Sequence, residues 1–279
     1  IPKNGSGFII AGSGQTVCIR RSGIMIQFDT ELVKIGDIPV RIVHPIRKDR
    51  TRCVVFYHGW SSCSELQMTR ALVLAAHGYT VLLPDSIFHG SRGMLPDYYS
   101  VEVYGIFWET IFRNIDEFSE IGKWLHEHSF SVPWVMGHSM GGLTVIGLAA
   151  QYPKGIRGAV SFNGSGDWLL THLFIQARFG VAEPRDWPVY EEIDKKSPMH
   201  CLQELKNVPV FMTNGEADPS IDPRAQAHFA EALSKAGGHG VHITYPGLAH
   251  FVTTNMLDDA LAWMASQEKE GQEWSQKEY

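Results

Sequence analysis

The sequence predicts an α/β protein with a mainly parallel central sheet, and three observations predict it. Short apolar runs rich in Val, Ile and aromatic residues alternate along the chain with longer segments of helical period. The runs are continuously apolar, which suits strands buried on both faces of a sheet. A length of 279 residues with 44% hydrophobic and 19% charged side chains is enough to bury the core of one large domain.

Taken in order, MIQFDTELVKIGDIPVRIVHP (25–45) reads as a two-stranded antiparallel hairpin ahead of the alternating pattern. Residues 1–24 are rich in Gly and Ser, lack a sustained period and precede Met25, the first methionine. We expect them to be an N-terminal extension, either non-native or a native arm, with the working domain at 25–279. The expected strands are RCVVFYHG (52–59), YTVLLPD (79–85), VPWVMG (132–137), RGAVSF (157–162), VPVFMTNG (208–215) and GVHITYPG (240–247).

Helices are expected between them: ELQMTRALVLAAHG with Ser64 as N-cap, a long one over about 104–128, LTVIGLAAQYP, PRAQAHFAEALSKAGG, and a last one over about 251–266. Gly78, Gly237 and Gly238 stand where helices should stop. Residues 164–205 are too long for a simple connection and carry Trp168, Leu169, Leu173, Phe174, Phe179, Trp187 and Tyr190, so they read as a small helical cap. The polar tail from about residue 267 is expected to fray.

A formal charge of −6 supplies no basic patch for nucleic acid or an anionic membrane, so a small neutral or weakly charged substrate fits better. No apolar run approaches the ~20 residues of a membrane span, and GFIIAG near the start is too short for the apolar region of a secretory signal, so none is expected. Cys18, Cys53, Cys63 and Cys201 are scattered without metal or disulfide spacing, and the reduced cytoplasm is the expected compartment.

The chemistry is concentrated in VMGHSMGGLTVIGLA (135–149). Gly137-His138-Ser139-Met140-Gly141 places a serine between a strand and a helix, at the end of the sheet where ligands bind in such folds. The turn is tight enough to require the flanking glycines and to leave the hydroxyl exposed at a helix N-terminus. There the backbone N–H of Met140 can stabilise an oxyanion. A serine nucleophile needs a base, and the base needs an orienting carboxylate, here in the order Ser, acid, His.

His228 falls in a helical pattern, and His239 and His242 flank or enter a strand. His250, in the loop PGLAH beyond the last strand, is the expected base. Asp218 is the best-placed acid in the loop 214–222, with Glu216 and Asp222 as competitors that could serve the loop or the helix N-cap before Pro223.

With these three residues in this order, the chain resembles the α/β-hydrolase family. Within it, the likeness is to compact bacterial esterases related to dienelactone hydrolases and to the catalytic domains of prolyl-oligopeptidase-type enzymes. The resemblance covers about residues 26–266 and rests on VVFYHGWSS (54–62), LLPDSIFHGSRG (82–93), GHSMGG (137–142), PVFMTNGEADPSI (209–221) and PGLAH (246–250). It implies helices on both faces of the sheet and, from His58-Gly59, a second oxyanion donor in the backbone N–H of Trp60.

Asp85, His89, Ser91 and Arg92 are expected to fix the loop bordering the pocket. One departure is Asn214-Gly215, where many relatives have His-Gly.

The expected function is a serine carboxylesterase acting on short to medium acyl or aryl esters, a small-molecule substrate, with no metal or organic cofactor. Trp60, His138, Trp168, Phe174 and Trp187 are the expected substrate contacts. Thioesterase, lactonase, deacetylase and small-amide hydrolase activities share the same chemistry. A non-catalytic protein holding a small ligand on a hydrolase fold is the alternative of another class.

Overall fold

The computed structural model describes residues 15–21, 24–180 and 189–277. Nine strands form one sheet: β1 (Gln15–Arg21), β2 (Ile24–Ile35), β3 (Ile38–Val43), β4 (Cys53–Tyr57), β5 (Thr80–Pro84), β6 (Trp134–His138), β7 (Gly158–Phe162), β8 (Val210–Gly215) and β9 (Gly240–Tyr245). Their order is β1-β2-β3-β5-β4-β6-β7-β8-β9. From β5 to β9 every pairing is parallel, whereas β1, β2 and β3 join as an antiparallel meander onto β5. Residues 15–21 fall within the stretch expected to be an extension, and residues 1–14 lie outside the described ones.

The helices are α1 (Met68–Ala76), α2 (Tyr104–Glu127), α3 (Met140–Gln151), α4 (Trp168–Phe179), α5 (Val189–Lys196), α6 (Leu202–Leu205), α7 (Pro223–Lys235) and α8 (Thr254–Lys277). The alternation of strand side chains divides them between two faces. Cys53, Val55, Tyr57 and Val135 join the residues of α2, α3 and α7, while Val54, Phe56, Trp134 and Met136 join those of α1 and α8. Both faces of the central strands are therefore buried, the physical reason for their unbroken apolar runs. No helix of the described residues is long and apolar enough to cross a membrane.

Two local expectations change. Ser64 makes no side-chain cap, because its backbone is already helical (φ −55°, ψ −40°) where the chain begins with a 3₁₀ turn, and its N–H is bound to Asp85 Oδ1 at 2.8 Å. The last helix does not stop near Ser266 but runs to Lys277. Glu268, in the stretch expected to fray, is held by Arg52 at 3.0 Å, by Arg157 at 3.5 Å and by the Tyr79 hydroxyl at 3.0 Å.

The connection from β7 to β8 contains α4, α5 and α6, as the aromatic-rich stretch suggested. Trp168, Ile175 and Phe179 are spaced by seven and four, so they fall on one stripe of α4. Trp168, at the inner end of that stripe, is fully buried against Trp108 and Phe112. Ile175 and Phe179 lie farther out and reach the cavity described next.

Candidate active site

β6 ends in the turn that carries Ser139, and two glycines make the turn possible. A Cβ on Gly137 would meet the Gly141 carbonyl oxygen at 2.3 Å, and a Cβ on Gly141 would meet that of Tyr57 at 2.1 Å. Ser139 itself has φ 58° and ψ −117°, a strained conformation for a side-chain-bearing residue that costs on the order of 1–3 kcal/mol. Its backbone N–H is tied to Phe162 O at 2.9 Å, and α3 starts at the next residue. The side chain is thus pinned at the helix N-terminus, where backbone dipoles favour negative charge.

The loops after β8 and β9 bring the other two residues together. Asp218 Oδ1 accepts hydrogen bonds from Ser220 N at 2.8 Å and Ile221 N at 3.0 Å, and Oδ2 accepts from His250 Nδ1 at 2.6 Å. With Nδ1 donating to the carboxylate, the lone pair of His250 is on Nε2, as a general base requires.

The competitors for the acid have other partners: Glu216 accepts from Gly247 N, and Asp222 caps α7 through Arg224 N. Asn214, the departure from the usual dipeptide, donates to Gly164 O at 3.1 Å and accepts from His242 Nε2 at 3.2 Å.

Ser139 and His250 both line a cavity of about 330 Å³, within the usual size range for small-molecule sites. Trp60, Tyr98, Tyr104, Phe107, Ile175 and Phe179 form most of its apolar wall, and among the described residues no Asp, Glu, Lys or Arg lines it. Next to Ser139, the ideal Cβ position of Gly59 is 3.4 Å from the serine Cβ, so the backbone leading to Trp60 runs against the serine. Among the described residues, neither the Trp60 nor the Met140 backbone N–H donates a hydrogen bond. Both are available to an oxyanion.

The loop beneath Trp60 is fixed by the residues expected to fix it. Asp85 accepts from Ser64 N, Ser91 N and Ser91 Oγ, and Arg92 forms a two-pronged pair with Glu117 at 2.7 and 2.8 Å. His89 accepts from Ser61 N and donates to Ile87 O, and burial depresses its pKa to about 4.

The expected substrate contacts separate. Trp60 lines the cavity, with its indole N–H on Tyr98 O at 2.7 Å. His138 does not line it and packs behind the base, its ring 4.9 Å from that of His250. Burial first, then the neighbouring His250, depresses the His138 pKa to about 3, so the ring is neutral at ordinary pH.

Trp168 is placed in the core, because α4 turns that end of its stripe onto α2 and α3. Phe174 lies off the stripe, under the Arg224 guanidinium at 4.5 Å. Trp187 lies outside the described residues.

The wall formed by residues 98–107 was not anticipated. Its signal is the aromatic stretch from Tyr98 to Trp108, of which helical periodicity takes up only the part from 104 onward, as the start of the long helix. Tyr98 and Tyr99 are stitched to the neighbouring loops through Phe88 O at 2.6 Å and Ser61 Oγ at 3.2 Å.

A larger groove of about 650 Å³ contains neither Ser139 nor His250, and its cations Lys34, Arg92 and Arg113 are paired with Asp37 and Glu117. Among the described residues, no cluster of three or more His, Cys, Asp or Glu is placed to hold a metal ion.

Comparison with known proteins agrees with this architecture. The model of the prolyl oligopeptidase family matches residues 110–271, more than half of the chain, and that of the serine aminopeptidase S33 family matches residues 48–170. The chain is 26% identical over 246 residues to the esterase YjfP of Escherichia coli, covering 84% of this chain and 97% of that protein.

Among solved structures, TT1662 from Thermus thermophilus superposes with a TM-score of 0.69 at 20% identity, covering 87% of this chain and 98% of that one. A puromycin-hydrolysing peptidase of Mycobacterium tuberculosis gives 0.65 at 16% identity, over 86% of this chain but only 41% of its own. The chain belongs to the prolyl oligopeptidase family and is a serine hydrolase with the α/β-hydrolase fold.

Proposed function

We propose that this member of the prolyl oligopeptidase family is a carboxylesterase that hydrolyses uncharged esters of short to medium acyl or aryl groups through an acyl-enzyme on Ser139. The observation that carries this reading is a small cavity, uncharged among the described residues that line it, that contains both Ser139 and His250, the latter bound to Asp218 at 2.6 Å. Its apolar lining favours a neutral acyl group. The end-to-end match to a protein named as an esterase supports the ester over the peptide.

In the proposed mechanism, Ser139 Oγ attacks the ester carbonyl carbon while His250 Nε2 takes its proton. Asp218 holds the imidazole tautomer and stabilises the imidazolium. The Trp60 and Met140 N–H groups receive the oxyanion, and loss of one such donor commonly costs about 10²- to 10³-fold in rate. Collapse of the tetrahedral species expels the alcohol, which takes the proton from His250. Water then attacks the acyl-enzyme with His250 again as base, releasing the acid and returning the proton to Ser139.

Hydrolysis of p-nitrophenyl esters from acetate to palmitate tests the reading, with Ser139→Ala measured beside the wild type. Turnover should peak at short to medium chains and fall by at least about 10⁴-fold in the variant. A rate independent of Ser139, or a maximum on the longest chain, would refute it. Thioester, lactone and small-amide substrates run in parallel rank the acyl derivatives that the same chemistry could serve.

A further inference from the structure

Three consecutive residues at the end of β7 tie down all three loops of the site. Phe162 O accepts from Ser139 N at 2.9 Å and so holds the nucleophile's turn. Asn163 Oδ1 accepts from Gly215 N at 2.9 Å, at the start of the loop that carries Asp218. Asn163 Nδ2 donates to Phe251 O at 2.9 Å, one residue beyond His250. Gly164 O takes the Asn214 side-chain amide at 3.1 Å, a second tie to the same acid loop.

The residue type at 163 meets two independent demands. Its backbone has φ 47°, in the left-handed region that Gly, Asn and Asp tolerate best. Its side chain must also supply one donor and one acceptor in a fully buried position, where an unpaired amide is costly. Glycine satisfies the backbone and makes neither bond. Aspartate fits the backbone and the acceptor but sets a carboxylate against the Phe251 carbonyl. Asparagine satisfies both.

We propose that Asn163 is a positioning residue for the reaction, a strut that fixes the acid loop and the base loop against each other so that His250 meets both Asp218 and Ser139. The inference rests on the triad reading above. Asn163 touches neither substrate nor the reacting atoms. It acts through the Asp218–His250 hydrogen bond, whose geometry depends on two loops with no covalent link shorter than the whole of β9 and α7. A misplacement of about 1 Å in such an arrangement can cost on the order of 10²-fold in rate.

The test compares Asn163→Gly and Asn163→Asp with the wild type and Ser139→Ala, using p-nitrophenyl butyrate and the downfield proton resonance of His250 Nδ1–H. Both substitutions at 163 suit the left-handed backbone, and circular dichroism verifies their folding.

The expected result is a kcat lower by about 10²-fold with KM within about twofold, larger for Gly than for Asp, and a shifted or broadened downfield resonance. A kcat within about twofold of wild type, or a loss of rate with the resonance unchanged, would overturn the proposal. Wild-type turnover that survives Ser139→Ala would instead refute the triad reading, whatever the variants at 163 do.

Discussion

Asp218 Oδ2 lies 2.6 Å from His250 Nδ1, and Asp167 Oδ2 lies 2.6 Å from His228 Nδ1. Both carboxylates are buried and both use their other oxygen on backbone N–H groups, Asp218 on Ser220 and Ile221, Asp167 on Leu170 at the start of α4. The histidines differ. The His250 side chain is 20% exposed and shares a cavity with Ser139, whereas that of His228 is 56% exposed on α7 and lies outside that cavity. A short carboxylate–imidazole bond is therefore no mark of catalysis by itself. What separates the two pairs is that only His250 lines a cavity with Ser139.

The comparison can be broken most directly by removing one charge from each pair. Asp218→Asn should lower kcat by about 10⁴-fold, because the imidazole loses its tautomer and its counter-charge. Asp167→Asn should leave kcat/KM within about threefold of wild type. Equal losses in steady-state assays of the two variants would mean that the pairs had been told apart wrongly.

A second prediction contrasts these paired histidines with His138 and His89, whose pKa values burial depresses. Burial holds His138 near about 3 and His89 near about 4 in the folded protein, while in the unfolded chain both titrate at roughly 6.5. Between those values the unfolded chain binds more protons than the folded one. Stability should therefore fall as pH drops from roughly 6.5 toward about 4. Thermal melts across that range measure the slope, and His89→Gln should lower Tm at pH 7.5 yet flatten the fall. A slope unchanged by the substitution would remove His89 from the account.

The smallest effect belongs to the surface pair. His228→Gln should cost at most about 1 kcal/mol of stability in denaturant titrations. Any electrostatic part of that difference should vanish near 1 M salt, where the screening length is about 3 Å. A loss that persists in salt would point to packing of the imidazole between α4 and α7.

Much of the site was legible because its signals are local. The turn at Gly137–Gly141 needs small residues within five positions, and the order Ser139, Asp218, His250 follows the strands that precede each residue. His228 could be set aside as a base from its helical pattern alone, which its position on α7 bears out. What could not be read was its carboxylate partner, 61 residues away. Trp168 and Phe174 were misplaced for a related reason. An aromatic-rich insertion says that helices will pack, but the rotation of α4 decides which stripe turns inward, its first turn to the core and its far end to the cavity, and that Phe174 meets Arg224 instead.

The sequence by itself determined the class of fold and which residue types stand at each strand end, since hydrophobic period, turn sterics and chain order are properties of contiguous residues. Tertiary structure alone decided the rest: the wall from Tyr98 to Phe107, the burial of Trp168, and the bridging of two loops by Asn163, 52 residues from Gly215 and 88 from Phe251. Such contacts join segments that no local pattern relates. The lateral order of β7, β8 and β9 brings the partners of Asn163 within hydrogen-bond reach, and helix packing on the sheet places Trp168 in the core.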